Sequence, residues 1–95
     1  MDLLPCKFKL EPMEQHIKIL SEVDEFLRAF RDEFVYFGPK DNILLQREKR
    51  HHTGEECCDV IVSCLTYLHQ NYTDEEVQEL FKFVNEKNRK RGYLK

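Results

Sequence analysis

The sequence predicts an all-α protein, a single-domain helical bundle (residues 1–95) completed by oligomerisation. Three observations predict it. Glycine and proline are scarce, three each in 95 residues, while charged residues make up 35%; this suits helices better than a turn-rich β sandwich. Apolar residues recur at three- and four-residue spacing, the period of one helix face. The stretch Glu55 to His69 is apolar almost all round when wound as a helix. Its Cys57, Cys58, Val60, Ile61, Val62, Cys64, Leu65, Tyr67 and Leu68 cover roughly 220° of the circumference, where a surface helix needs a stripe of about 100°. A chain this short buries a modest fraction of its surface. It cannot cover such an arc from within, so self-association is expected, with this helix near the interface.

The elements follow in order. Residues 1–11 read as extended or irregular. Pro12 suits a first helical turn, with Glu11, Glu14 and Gln15 near the positive end of the dipole. That helix runs to about Phe37 and is stopped by Gly38-Pro39. Its apolar face is Ile19, Leu20, Val23, Phe26, Leu27, Phe30 and Phe34. Asp41 or Asn42 opens a short helical segment through Leu45, and residues 46–54 (QREKRHHTG) read as a polar loop. Thr53 to Glu56 has the T-x-x-E form of a capping box and opens the central helix. Thr73 to Glu76 repeats the form and opens the last helix, about 74–91. There Val77, Leu80, Phe81, Val84 and Asn88 share one face.

Charge and cysteine usage narrow the function. The net charge is −3, but residues 82–95 hold six Lys and Arg against Glu86 alone. An acidic body with a basic end suits a site that holds a cation beside an anion. A long polyanion would be repelled by the acidic body, so nucleic-acid binding is disfavoured. No run of about twenty apolar residues and no signal-peptide pattern is present. The four cysteines (Cys6, Cys57, Cys58, Cys64) form no CxxC pair, and three lie in the apolar helix, where Cys acts as a small hydrophobe. They are expected to be reduced and mostly inaccessible, in a cytoplasmic protein. A zinc site on Cys57, Cys64, His51 or His52 lacks the spacings of known motifs. Phosphate-binding glycine loops and Ser/His/Asp arrangements are absent.

The chemistry points to carboxylates. Glu22 with Glu25, and Glu56 with Asp59, stand at i, i+3 on two helices. If those helices pack antiparallel, four anions converge and raise one another's pKa. A divalent cation relieves that repulsion, and magnesium prefers oxygen ligands and shares them with phosphate. Asn88 and Arg91 continue the inward face of the last helix, and the basic end, led by Lys87 and Arg91, would meet phosphate. Carboxylates, metal and a flanking cation are what phosphoryl hydrolysis requires. Each feature also has a plain reading: acidic pairs on solvated faces, Glu56 as a capping-box residue, and a basic helix end that complements the dipole.

The pattern E-x-x-E followed on the next helix by E-x-x-D resembles the MazG-like all-α nucleoside triphosphate pyrophosphohydrolases. It is carried by Ser21-Glu22-Val23-Asp24-Glu25 and Glu55-Glu56-Cys57-Cys58-Asp59-Val60, with K-x-x-x-R late in the chain at Lys87 to Arg91. The resemblance implies an all-helical subunit and a homodimer or homotetramer. It also implies magnesium on Glu22, Glu25, Glu56 and Asp59, and hydrolysis of an NTP or dNTP to the monophosphate and pyrophosphate. Glu22 or Glu25 would act on the attacking water, and Lys87, Asn88 and Arg91 would bind substrate. Two departures stand out: Ser21 occupies a position where the family usually has Glu, and thirty residues separate Glu25 from Glu56. The alternative is a non-catalytic helical module for dimerisation or a protein partner, with the apolar arc as its binding surface.

Overall fold

The computed structural model describes residues 3–34 and 42–94. Among them are three helices and no strand: α1 (Pro12–Phe34), α2 (Ile43–Asn71) and α3 (Asp74–Lys90). No helix is long and apolar enough to cross a membrane. The expected stop of α1 at Gly38-Pro39 and the start at Asp41 lie outside the described residues.

α1 begins as its sequence predicts. Pro12 occupies the first position, and the Glu14 carboxylate accepts from the Glu11 amide at 3.1 Å. α2 starts at Asn42, whose side chain accepts from the Leu45 amide at 3.1 Å. It then runs unbroken for 29 residues. The expected loop at 46–54 is therefore helix, and Thr53 is not a cap. Its hydroxyl instead turns back to the Lys49 carbonyl at 3.0 Å and lies 3.3 Å from the Ala29 carbonyl of α1. Gln, Arg, Glu and Lys are good helix formers, and Lys49 ties this run to α1 through Asp32 at 2.7 Å. The capping box at the start of α3 is present as expected: the Glu76 amide donates to Thr73 Oγ1 at 3.1 Å, and the Thr73 amide to Glu76 Oε1 at 3.0 Å. α3 ends in a Schellman motif. The Gly92 amide bonds the Arg89 carbonyl, the Tyr93 amide bonds the Asn88 carbonyl, and Gly92 takes the positive φ of 76° that this turn requires.

α1 and α2 pack antiparallel. Asp32 meets Lys49, Ala29 meets Thr53, and Gln15 meets Asn71. The face that α1 turns inward shares Ile19, Val23 and Phe26 with the apolar face expected of it and differs in the rest. Gln15, Ile19, Glu22, Val23, Phe26, Ala29 and Glu33 are buried or half-buried, whereas Leu20, Leu27, Phe30 and Phe34 stay exposed. The central part of α2 fares better: Val60, Ile61, Val62, Leu65, Tyr67 and Leu68 are half-buried. Cys57 is half-buried too, but Cys58 and Cys64 are exposed, so the expected inaccessibility of the thiols is not supplied by the chain's own helices. All the cysteines are free.

The N-terminal arm lies across the end of this pair and is held by side chains, not by a strand. The Cys6 amide donates to Thr66 Oγ1 at 2.9 Å. Gln70 is the hub: its Nε2 donates to the Cys6 and Phe8 carbonyls, and its Oε1 accepts from the Leu10 amide and from Gln15 Nε2. Asn71 Nδ2 completes the set by donating to Gln15 Oε1 at 2.6 Å. Gln15 and Thr66 are buried, so their hydrogen bonds matter: a buried polar group left unpaired costs about 1–3 kcal/mol. Among the described residues the buried apolar side chains are Ala29 and Val77, of which Val77 is fully covered.

Two stability changes follow. Gln70→Ala removes the hub and should lower unfolding free energy by about 2 kcal/mol, with new protease cleavage within residues 3–10. Gly54 lies inside α2 with nothing within 4 Å of an added Cβ, so Gly54→Ala should raise stability by about 1 kcal/mol. Urea denaturation of each variant measures both.

Candidate functional site

The register of α1 on α2 brings the two acidic pairs together. It carries Glu25 opposite Glu56 and Glu22 opposite Asp59. Glu22, Glu56 and Asp59 each offer a carboxylate oxygen, and these atoms lie within 4.8 Å of one another. Glu22 and Glu56 are largely covered, with side chains 14% and 13% exposed, while Asp59 is exposed. Glu25 sits on the rim. Its carboxyl holds its proton more tightly than the ordinary value of 4.5 implies, first because of the neighbouring Glu22 charge, then through desolvation, a hydrogen bond with Glu22 and the charge of Glu56. Lys18 opposes the shift.

Two basic side chains stand beside the covered carboxylates. Lys18 pairs with Glu22 at 3.1 Å, one turn away on α1. His52 Nε2 stands 3.7 Å from Glu56 Oε1, and its Nδ1 stands 3.6 Å from Glu55. The other oxygen of Glu56, Oε2, is buried with no hydrogen-bond partner among the described residues. A buried carboxylate oxygen without a donor is costly, and it is the kind of atom a cation satisfies. Beside it runs an open groove of about 290 Å³ lined by Glu25, Arg28, Ala29, Asp32, His52 and Glu56. A larger groove of about 660 Å³ follows the N-terminal arm, but its Gln70 and Asn71 are committed to the hydrogen bonds that hold the arm.

Sequence reasoning placed the four carboxylates together and missed what surrounds them. In the sequence His52 offers only a zinc ligand beside cysteines; its i, i+4 relation to Glu56 exists because 46–54 is helix rather than loop. His52, Glu55 and Glu56 also form a cluster whose ligand atoms lie within 4.8 Å. Arg28, bound to Asp24 at 2.9 Å, enters the groove from α1 without a motif to announce it.

The basic residues are elsewhere. Lys87 and Asn88 lie in the last turns of α3, and Arg91 is its C-cap. Packing of α3 is confined to α2, and it does not meet α1. Lys87, Asn88 and Arg91 of the same chain are therefore not brought to the acidic groove. In comparisons with known proteins, the chain matches no family model, no curated protein and no solved structure.

The raised Glu25 has a consequence for stability. Below the ordinary carboxylate value of 4.5, the group is protonated in both folded and unfolded chains, and its contribution to stability is fully present. It is lost as pH rises through the raised folded value, because the folded chain resists giving up the proton. Metal-free wild type should therefore weaken over that interval, and Glu25→Gln should flatten the loss. Urea midpoints in chelator between about pH 4 and 7 test this; identical profiles would contradict it.

Proposed function

We propose that the chain is a magnesium-dependent nucleoside triphosphate pyrophosphohydrolase that cleaves an NTP or dNTP to the monophosphate and pyrophosphate. The observation that carries this reading is the convergence of Glu22, Glu56 and Asp59 from two antiparallel helices, with Glu25 coupled to Glu22 and Glu56 and one Glu56 oxygen buried without a partner among the described residues. The donors are oxygens, which fit magnesium. Glu22, Glu56 and Asp59 would hold the ion, with Glu25 at its edge. When bound, it supplies positive charge against the carboxylates and the polyphosphate and polarises the phosphoryl oxygens.

The chain's own groups would do the rest. Glu25 keeps its proton more tightly than an ordinary carboxylate, which suits it to accept one from the attacking water. Water oxygen bonds to the α-phosphorus, the bond to the α–β bridging oxygen breaks, and pyrophosphate leaves with the electron pair. Lys87, Asn88 and Arg91 would bind the phosphates, which requires that they come from another copy. The short motifs that resemble the MazG-like family support the same reading, and the reading carries with it homodimeric or homotetrameric association and, with free cysteines, a reducing cytoplasmic setting. A second reading, a non-catalytic helical interaction module, is favoured by one observation: Met13, Ile17, Leu20 and Phe34 of α1 are 57–79% exposed.

Paired melting curves with and without Mg²⁺ decide. Asp59 has no ion pair among the described residues, so Asp59→Asn should leave the metal-free fold as stable as before or slightly more so. It should abolish the gain from Mg²⁺ and lower pyrophosphate release by on the order of a hundredfold. A loss of about 3 kcal/mol in the metal-free state with an unchanged magnesium response would overturn the proposal.

A further inference from the structure

The turn of α2 that precedes the acidic pair carries a second set of metal-binding atoms. His52, Glu55 and Glu56 stand at i, i+3 and i+4, so one helical turn puts all three on one face. Each offers one ligand atom, and these atoms lie within 4.8 Å of one another. His52 Nδ1 is 3.6 Å from Glu55 Oε1, and its Nε2 is 3.7 Å from Glu56 Oε1. Both separations are too long for hydrogen bonds, so the imidazole stands between two carboxylates and is hydrogen-bonded to neither. They are close to the spacing of ligands around an ion: bonds of about 2.0–2.1 Å to a tetrahedral zinc put two ligands about 3.4 Å apart. Glu56 is the covered member, its side chain 13% exposed, and its Oε2 is buried with no hydrogen-bond partner among the described residues. His52 and Glu55 are exposed, which leaves both free to close the remaining gap onto an ion.

This donor set differs from that of Glu22, Glu56 and Asp59. Carboxylates alone suit magnesium, whereas imidazole beside carboxylate suits zinc, cobalt or nickel. We propose that His52, Glu55 and Glu56 bind a divalent transition-metal ion such as zinc, with Glu56 shared between this site and the acidic one. It is not the cysteine-based site whose spacings the sequence lacks, because no sulfur is among its ligands. Three protein ligands leave a fourth position open to water. His52 and Glu56 both line the open groove of about 290 Å³, so that position is reached from solvent. The site depends on the continuity of α2 through 46–54, since in a loop His52 would hold no fixed relation to Glu55 and Glu56. The assignment goes beyond the proposed hydrolase and does not rest on it: neither His52 nor Glu55 has a part in that reaction.

The test uses the full chain, kept reduced, with Zn²⁺ alone followed by calorimetry and Co²⁺ alone followed by absorption. The expected result is a tightest site of one ion per chain, cobalt bands of nitrogen and oxygen ligation, and a Zn²⁺-dependent shift of the His52 imidazole nitrogens in ¹⁵N spectra. His52→Ala should weaken that binding about tenfold or more, and Glu55→Gln should weaken it too. His51→Ala and Asp59→Asn should leave it unchanged. Helical circular dichroism checks that each variant folds; if His52→Ala does not, the imidazole shift in the wild type decides. Unchanged affinity in His52→Ala, a sulfur-to-cobalt charge-transfer band, loss of binding in Asp59→Asn, or binding only at millimolar metal would overturn the site. The magnesium response reports separately, because His52→Ala should keep the gain in melting temperature from Mg²⁺. Loss of that gain in the wild type with zinc binding intact therefore sinks the enzymatic reading alone, and loss of zinc binding with the gain intact sinks this site alone.

Discussion

The register of α1 against α2 is the constraint on which the acidic groove depends. It is held in the middle by the close approach at Ala29 and Thr53, at one end by Asp32 and Lys49, and at the other by Gln15, Gln70 and Asn71. A rotation of α1 by one residue would swing Glu22 through about 100° and take its carboxylate out of reach of Glu56. The groove is thus a product of packing far from its own atoms, and polar contacts specify that packing as much as apolar ones. In a pair of helices with so few fully buried apolar side chains, hydrogen bonds of buried Gln and Thr choose the register because the wrong one would leave them unpaired.

That register places like charges together, and the molecule softens the cost without removing it. Lys18 sits one helical turn from Glu22, and His52, one turn from Glu56, stands between Glu56 and Glu55. Both acidic side chains are largely covered, and Glu56 Oε2 has no donor among the described residues. A fold optimised for its own stability would replace such a cluster with apolar side chains of similar volume. Where local rules are broken without local compensation, a functional constraint is the usual reason.

Much of this was legible in the sequence, and the rest was hidden for identifiable reasons. The start of α1 at Pro12 and the Thr73 to Glu76 capping box depend on local chemistry alone. The acidic pairs were legible because i, i+3 spacing on neighbouring antiparallel helices leaves few alternatives. The continuity of α2 through 46–54 was not: the run lacks apolar periodicity, and Thr53 to Glu56 imitates a cap. Its helix is secured partly across the groove, by Lys49 on Asp32. The inward face of α1 was legible only at Ile19, Val23 and Phe26, because Gln15 and Ala29 also contribute to it and neither adds to an apolar stripe. The separation of the basic end from the carboxylates has no sequence signature. It follows from the extended backbone at Tyr72 and Thr73, which points α3 away from its own bundle.

The arm that crosses the helix ends also sets an order of events in folding. Its bonds to Thr66 and Gln70 join residues about sixty positions apart, whereas the α1–α2 contacts near Ala29 and Thr53 span 24. Closing the longer loop costs more chain entropy and is repaid only after both helices stand in place. The helical hairpin therefore assembles from its closed end near Asp32 and Lys49 outward, and the arm latches last. Unlatching is the reverse: the arm can lift and expose the polar ends of α1 and α2 while the carboxylates, nearer the middle of the hairpin, remain aligned.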